Sequence, residues 1–233
     1  MKVAVMQPYI FPYLGYFQLI AAVDAFVFYD DVNYIKGGWV NRNRILVHGN
    51  EKFITFPCDK ASPNKLISEI DLVVKHPLFK KQLRTIKQSY RKAPYFDSVF
   101  PLIESIFDDR PEKLSEFAML GIERILDFLD ISKELYVSSK NFNDTKDFDR
   151  TDRLIEICTS LKADTYINSA GGKELYSKKD FMEHNIQLKF LIPELTEYEQ
   201  FKQEFVPGLS IIDVLMFNSK DKVVDLMKNY SLE

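Results

Sequence analysis

Residues 6–44 decide the predicted fold and read MQPYIFPYLGYFQLIAAVDAFVFYDDVNYIKGGWVNRNR. The apolar run at residues 3–6 predicts a buried strand, and the prolines of residues 7–14 exclude a helix interior there. Residues 15–23 have helical spacing, and residues 25–29, AFVFY, predict a second strand. A strand, a loop, a helix and a strand within ~30 residues form a βαβ unit, so this stretch predicts the start of a parallel sheet.

The remaining chain predicts further elements of the same kind. A hairpin is expected from residues 44–47 and 53–56, joined by residues 48–52, and residues 67–74 indicate another extended segment. The other predicted strands are residues 134–137, 165–167 and 186–192. The other predicted helices are residues 78–91, 95–107, 112–129, 150–161, 209–216 and 222–229. The predicted fold class is α/β: an open, mostly parallel, Rossmann-like sheet in one domain of residues 1–233, with an added hairpin and a helical insertion at residues 75–130.

Composition narrows the protein class. The chain has 46% hydrophobic and 28% charged residues, which is typical of a globular protein. Its net charge of −3 gives no global reason to expect nucleic acid as a partner. Cys58 and Cys158 stand alone in their segments, which indicates a reducing compartment and no structural zinc. No apolar stretch approaches the ~18 residues of a membrane span, so we expect a cytoplasmic protein without membrane insertion. Since the cysteines stand alone, we assign no metal to the site.

Polar residues follow both predicted strands of the βαβ unit. Ligands of open parallel sheets bind at the carboxyl ends of strands, which places the loop of residues 7–13 and the segment of residues 30–34 at one rim. Asp30 and Asp31 end the second strand. They are candidates for a general base or for metal ligands, with ordinary turn chemistry as the alternative.

The segment after this strand supplies further donors. Asn41, Arg42 and Arg44 suit phosphates or carboxylates, and alternation along a strand would put both arginines on one face. Trp39 is expected either to stack on a base or sugar or to pack in the core. Lys36 would add a charge at the same rim.

The segment SAGGK at residues 169–173 follows a predicted strand. Its backbone amides and Lys173 could hold a phosphate or carboxylate, and a plain turn is the alternative. It is not a phosphate loop of the GxxxxGK[ST] type, because Ile167 stands at the first glycine position and Glu174 replaces the hydroxyl residue.

The predicted helix at residues 78–91 carries a basic stripe. Its members are Lys80, Arg84, Lys87 and Arg91. The stripe is either a solvated helix face or a docking surface for an anionic ligand or an acidic carrier protein. No GxSxG, HExxH or Cys–His pattern occurs. Direct transfer with acid–base help and oxyanion stabilisation is therefore the expected chemistry.

The chain resembles the WbqC-like family. The residues that carry this resemblance are QPYIFPYLGYFQLI at 7–20, Asp24, YDDV at 29–32, WVNRNRI at 39–45, Ser138-Ser139, Tyr166, Gly171, Tyr176, Phe181, YEQ at 198–200 and FVPGLSIID at 205–213. The resemblance implies a role in O-antigen or other surface polysaccharide synthesis. It also implies transfer of an amino acid, glycine in particular, to an amino sugar.

The first block is also distantly similar to the nucleotidyltransferase arrangement of strand, P-x-x-G loop, helix and strand. That resemblance implies two phosphate-binding histidines in an HxGH motif. Tyr13 and Tyr16 stand at the matching positions here, with Gly15 kept. The fold analogy is therefore retained, while nucleotidyl transfer lacks its histidines.

Three functions follow as hypotheses. The first is an acyl, for example glycyl, transferase that acts on the amine of a nucleotide-linked amino sugar, with a carrier-protein phosphopantetheine thioester as the expected donor. The second is a nucleotidyltransferase-like enzyme, and the third is a non-catalytic binding protein of a polysaccharide assembly complex. The predicted catalytic residues are Asp30, Asp31 and Ser169. The predicted substrate-binding residues are Gln7, Tyr9, Tyr13, Gly15, Tyr34, Lys36, Trp39, Asn41, Arg42, Arg44, Gly171, Gly172, Lys173, Tyr176, Gln200, Ser210 and Asp213.

Overall fold

Ten strands and nine α-helices occur in the computed structural model, within the residues it describes, 1–201 and 204–233. The strands are β1 (Lys2–Met6), β2 (Ala25–Phe28), β3 (Arg42–Val47), β4 (Asn50–Thr55), β5 (Cys58–Asp59), β6 (Asp71–Leu72), β7 (Glu134–Val137), β8 (Thr165–Ser169), β9 (Gln187–Pro193) and β10 (Tyr230–Leu232). The helices are α1 (Leu14–Ala22), α2 (Pro77–Tyr90), α3 (Phe96–Asp109), α4 (Leu114–Phe128), α5 (Ser138–Asn141), α6 (Arg150–Ser160), α7 (Lys178–Met182), α8 (Ile211–Phe217) and α9 (Lys220–Leu226).

The central sheet has six strands in the order β10-β9-β8-β1-β2-β7. All neighbours are parallel except β10, which pairs antiparallel with β9 at one edge. In chain order, the five parallel strands lie as third, second, first, fourth and fifth. This is the order of the classic dinucleotide-binding sheet. The predicted α/β class with an open, mostly parallel sheet is therefore confirmed.

Both faces of the sheet are covered, because successive side chains of a strand point to opposite faces. Ala4, Phe26 and Phe28 face α1, the helices between β2 and β7, and the C-terminal helices. Val3 and Val27 face the opposite layer, which α6 and α7 build. A sheet buried on both faces explains why the parallel strands read as continuous apolar runs.

The helices of the predicted insertion are α2, α3 and α4, and they pack through phenylalanines. The rings of Phe79, Phe107 and Phe117 lie 5.0–5.5 Å apart, centroid to centroid. Phe11 of the first loop joins them, at 6.2 Å from Phe107 and 6.0 Å from Phe117. The loop after β1 is thus anchored on the same apolar cluster as these helices.

The structure differs from the sequence prediction at the hairpin, at residues 67–74 and near the C-terminus, and it adds β5, α5 and α7. In the hairpin, β3 ends at Val47 as predicted, but β4 begins at Asn50 instead of residue 53. His48 and Gly49, with φ of 52° and 77°, form a two-residue turn with the type I′ sign pattern. Residues 67–74 hold a 3₁₀ turn, Ile67–Glu69, and only the two-residue strand β6. The predicted helix at residues 222–229 ends earlier, and the short edge strand β10 follows it.

A buried polar cluster ties the C-terminal segment to the hairpin and to α2. The Asp213 carboxylate accepts hydrogen bonds from the Tyr90 hydroxyl at 2.7 Å, the Tyr198 hydroxyl at 2.8 Å and the Gln200 amide at 2.7 Å. The Tyr90 hydroxyl accepts in turn from the Leu46 amide at 3.1 Å. Burial raises the pKa of Asp213, although the three donors oppose this shift. No helix among the described residues is both long and apolar enough to cross a membrane.

We expect Tyr90→Phe to lower the free energy of unfolding by about 2 kcal/mol, because it leaves the Leu46 amide without its acceptor and removes one donor from a buried carboxylate. Urea unfolding measures this difference. Tyr95→Phe is the control, since Tyr95 is exposed. Equal stability of the two variants would contradict the bridging role of the Tyr90 hydroxyl.

The pKa of Asp213 predicts a pH dependence. Because the native carboxyl holds its proton more tightly than an unfolded aspartate, with its pKa of about 3.9, this group lowers stability as pH rises from that value through the raised native pKa. Asp213→Asn lacks the charge. Its stability relative to the wild type should therefore be more favourable at pH 7 than at pH 4. A difference that stays constant across this range in denaturant titrations would refute the shift.

Candidate functional site

A cleft of about 740 Å³ opens at the carboxyl ends of β1, β2 and β8. The chain leaves β1 towards β2 on one side and leaves β8 towards β9 on the other, so the strand order reverses between β1 and β8. Open α/β sheets bind ligands at this point, because the connections diverge there and leave a crevice. We call it the switch-point cleft.

A buried ion pair forms one wall of the switch-point cleft. The Arg153 Nη2 donates to the Asp31 Oδ2 at 2.5 Å, and the two side chains are only 5% and 8% exposed. The Asp31 Oδ1 accepts from the Ser138 hydroxyl. Arg153 is fixed further by Thr145, whose hydroxyl accepts at 3.1 Å, and its guanidinium lies 4.9 Å from the Tyr29 ring centroid. The position of the Asp31 carboxylate is therefore closely defined.

The neighbouring Asp30 has a different set of contacts. It is 3% exposed, and its carboxylate accepts from the Ser139 amide at 3.0 Å, the Ser139 hydroxyl at 2.8 Å and the Ser138 hydroxyl at 3.1 Å. These contacts fasten the end of β2 to the first turn of α5. Asp30 therefore has a structural role at the edge of the sheet. Of the two predicted base candidates, only Asp31 lines the cleft.

The cleft also has basic residues that were not predicted. Lys146 and Arg150 line it and are exposed, and the structure shows no ion pair for either among the residues it describes. Arg153 is neutralised by Asp31. The cleft therefore carries an excess of positive charge, which favours an anionic ligand.

The predicted SAGGK loop borders the cleft through its first part. Ser169, Gly171 and Gly172 line it, and the Ser169 amide donates to the Asn168 Oδ1 at 2.8 Å. A Cβ at Gly172 would lie 2.6 Å from the Asn168 Nδ2, so this glycine makes room for the buried Asn168 side chain. Lys173 pairs instead with Glu233.

A second, smaller groove of about 400 Å³ adjoins the switch-point cleft. Tyr13, Trp39 and Arg44 line it, and Tyr9 lines both spaces. The Tyr13 ring covers Gly15, where a Cβ would lie 2.4 Å from the ring. Because Gly15 has no side chain, the Tyr13 ring can pack directly against it. Gly15 lines neither the cleft nor the smaller groove.

The loop between β1 and α1 is fixed by hydrogen bonds from β3 and from the C-terminal segment. Phe11 adopts a left-handed backbone with φ of 42°, and its carbonyl accepts from the Asn43 amide at 2.7 Å and the Ser210 hydroxyl at 2.8 Å. Tyr16 is buried, and its hydroxyl donates to the Gln7 carbonyl at 2.9 Å. Tyr13 and Tyr16, at the two positions matching nucleotidyltransferase histidines, thus take part in packing.

Several predicted binding residues lie elsewhere. Tyr34 is buried and donates to Asn41 at 2.9 Å, while Arg42 is bound by the carbonyls of Gly37 and Gly38. Lys36 is exposed and outside the cleft lining. The C-terminal segment was predicted to supply a wall of the pocket through Gln200, Ser210 and Asp213. These residues are buried in the core instead: Gln200 donates a hydrogen bond to Asp213, and Ser210 donates one to the first loop.

The structure brings together seven predicted residues at the switch-point cleft: Gln7, Tyr9, Asp31, Ser169, Gly171, Gly172 and Tyr176. The sequence reasoning missed Tyr29, Lys146, Arg150, Arg153, Tyr166 and Asn168. The signal that could have found Lys146, Arg150 and Arg153 is their position after the third parallel strand, since its carboxyl end lies at the same rim. Tyr166 lies within β8 and carries no such signal.

A family model described as the WbqC-like protein family matches residues 7–225. The uncharacterized protein Rv1507c of Mycobacterium tuberculosis (strain ATCC 25618 / H37Rv) is 29% identical over 230 residues, which cover 97% of each chain. No solved structure matches this chain. Because the family model spans nearly the whole sequence, from the loop after β1 into α9, the chain belongs to the WbqC-like protein family.

Proposed function

We propose that this protein is an N-acyltransferase that moves an aminoacyl or related acyl group to the amine of a nucleotide-linked amino sugar used for surface polysaccharide. One observation carries the proposal: the switch-point cleft combines the fixed carboxylate of Asp31 with Lys146 and Arg150, which form no ion pair within residues 1–201 and 204–233. A nucleotide-linked amino sugar has the complementary groups, a cationic amine and an anionic diphosphate.

The size and rim of the cleft support a ligand of this class. Small-molecule sites enclose ~300–1,000 Å³, and the cleft of about 740 Å³ falls in this range. Ile35, Phe148 and Leu175 line the cleft from three loops and are 56%, 51% and 54% exposed. Such exposed apolar groups around a polar cleft favour contact with a base or with the acyl donor.

Asp31 has the chemistry that amide formation needs. Each carboxylate oxygen has two lone pairs; Arg153 and Ser138 take one on each oxygen, and the others remain for an amine. In the proposed step, the ammonium group first loses one proton to water. The neutral nitrogen then attacks the acyl carbonyl carbon, while Asp31 accepts a second proton from it. A C–N bond forms, and the bond to the leaving group, C–S for a thioester, breaks. The thiolate released then takes up a proton.

The acyl donor is the second part of the proposal. A carrier-protein phosphopantetheine thioester requires an apolar channel beside the acceptor site and a basic docking surface. The smaller groove adjoins the cleft at Tyr9 and supports the first requirement. The exposed residues Lys80, Arg84 and Lys87 of α2, with Arg91 at its C-cap, support the second, since carrier proteins of this kind are acidic.

The reaction itself can be tested by mass spectrometry. The purified chain is incubated with a nucleoside-diphosphate 4-amino sugar and a carrier protein loaded with glycine as a thioester. We expect a glycyl amide of the sugar nucleotide and a stoichiometric free carrier thiol. The control omits the protein. Hydrolysis of the thioester without amide, across several aminoacyl donors, would contradict the proposal.

Two other outcomes separate the alternatives. A nucleotidyltransferase-like enzyme would gain thermal stability from a nucleoside triphosphate with Mg²⁺ and release pyrophosphate from it. A non-catalytic binding protein would keep its affinity for an assembly partner when Asp31 is changed. Either result, together with the absence of amide product, would replace the transferase proposal.

Asp31→Asn is expected to lower turnover by about 100-fold or more, because the asparagine cannot take the amine proton. It also breaks a buried ion pair, which costs about 3 kcal/mol or more of stability. The double variant Asp31→Asn with Arg153→Gln removes both charges and should recover part of that stability. Its turnover should stay as low as that of the single variant.

The matched controls are Arg153→Gln, which keeps the carboxylate, and Asp108→Asn, which changes an exposed carboxylate on α3. Stability is measured by urea unfolding and turnover by the amide assay. If the double variant regains turnover along with stability, Asp31 acts only as the partner of Arg153 and is not the base.

A further inference from the structure

A tyrosine hydroxyl at the floor of the switch-point cleft has no hydrogen-bond partner among the residues that the structure describes. Tyr166 is 0% exposed, lines the cleft, and its Oη finds no donor or acceptor in the described part of the chain. Its ring is held rigidly against Phe181, with centroids 5.2 Å apart and planes 10° apart. A buried hydroxyl without a partner destabilises a fold, because it loses its hydrogen bonds to water. Such a group beside a cleft indicates that a ligand supplies the partner.

Other donors lie at the same end of the cleft. Tyr29 and Tyr176 line it beside Tyr166, and Arg150 lies beside both of them. Burial raises the pKa of all three tyrosines, so at neutral pH each hydroxyl is protonated and can donate. Arg150 forms no ion pair among the described residues. The Asp31 carboxylate, the nearby acceptor, is already engaged by Arg153.

We infer that Tyr166, Tyr29, Tyr176 and Arg150 form an oxyanion subsite that binds a phosphate group of the ligand. A phosphate offers several acceptor oxygens and a negative charge, which match hydroxyl donors and an unpaired guanidinium. A neutral sugar hydroxyl would not neutralise the positive charge of Arg150.

This inference rests on the proposed function for the identity of the whole ligand, and it deepens that proposal by assigning the end of the cleft that holds the diphosphate. It replaces Arg42 and Arg44 as the expected phosphate residues. Arg42 is bound by two loop carbonyls, and Arg44 pairs with Glu51 at 2.8 Å. The amine end of the ligand would then lie towards Asp31.

The subsite is tested with inorganic pyrophosphate, the smallest molecule that carries a diphosphate. Binding is measured by isothermal titration calorimetry and by phosphorus NMR on the full chain. We expect Tyr166→Phe to weaken binding about tenfold or more, as the loss of a hydrogen bond to a charged group predicts. Tyr136→Phe is the matched control, because Tyr136 lies on β7 and is not among the residues that line the cleft.

A second readout separates a ligand contact from a structural role. Because the Tyr166 hydroxyl has no partner in the described part of the chain, Tyr166→Phe should leave the melting temperature without pyrophosphate unchanged or raise it. The variant should also reduce the stabilisation that pyrophosphate gives. Arg150→Gln should also weaken binding about tenfold, while Arg110→Gln, at an exposed site beyond α3, should not.

Three results would overturn the inference: no binding of pyrophosphate to the wild type at millimolar concentration, equal affinity of wild type and Tyr166→Phe, or a lower melting temperature of Tyr166→Phe without ligand. The amide assay keeps this test distinct from the proposed function. Tyr166-dependent binding without amide product would retain the subsite and refute the transferase. Amide formation with Tyr166-independent binding would do the reverse.

Discussion

The reversal of strand order between β1 and β8 is the constraint on which the site depends. The two strands are neighbours, with Val3 paired to Tyr166, yet the chain leaves them towards opposite edges of the sheet. No connection can then cover the space above their carboxyl ends, and a crevice results. The loop after β1 forms one wall of this crevice, and the turn after β8 forms the other. The Phe11 carbonyl contacts and the packing of Gly172 on Asn168 keep both walls in place.

Two adjacent carboxylates have different roles at this crevice, although both contact the Ser138 hydroxyl. Asp30 points to the start of α5 and is saturated by Ser138 and Ser139, so it holds the edge strand β7 to β2. Asp31 points to the cleft and meets Arg153 from α6. A buried ion pair contributes little net stability, since desolvation offsets the attraction. Its value here is a fixed carboxylate orientation, which a transfer site needs.

The sequence predicted the parallel sheet and the first wall of the site, because βαβ periodicity and proline positions are local signals. It did not predict which hydrogen-bond donors would lack a partner within the protein and so remain available to a ligand. Arg42 and Arg44 have the residue types and spacing for phosphate binding, but the carbonyls of Gly37 and Gly208 and the Glu51 carboxylate occupy them. That occupancy depends on a turn and on a segment far along the chain. Arg153 lies 122 residues from Asp31, and no local pattern reports such a contact.

The distribution of charge and hydrogen-bond donors gives the cleft a direction. Asp31 offers a carboxylate with one free lone pair on each oxygen, whereas Tyr166 and Arg150 offer hydrogen-bond donors. A ligand with a cation at one end and an oxyanion at the other fits in a single orientation, because the reverse would oppose like charges in a partly buried space. The unpaired Tyr166 hydroxyl lowers the stability of the free protein. A ligand that supplies an acceptor removes this cost. The hydroxyl that destabilises the ligand-free protein therefore favours the ligand-bound protein.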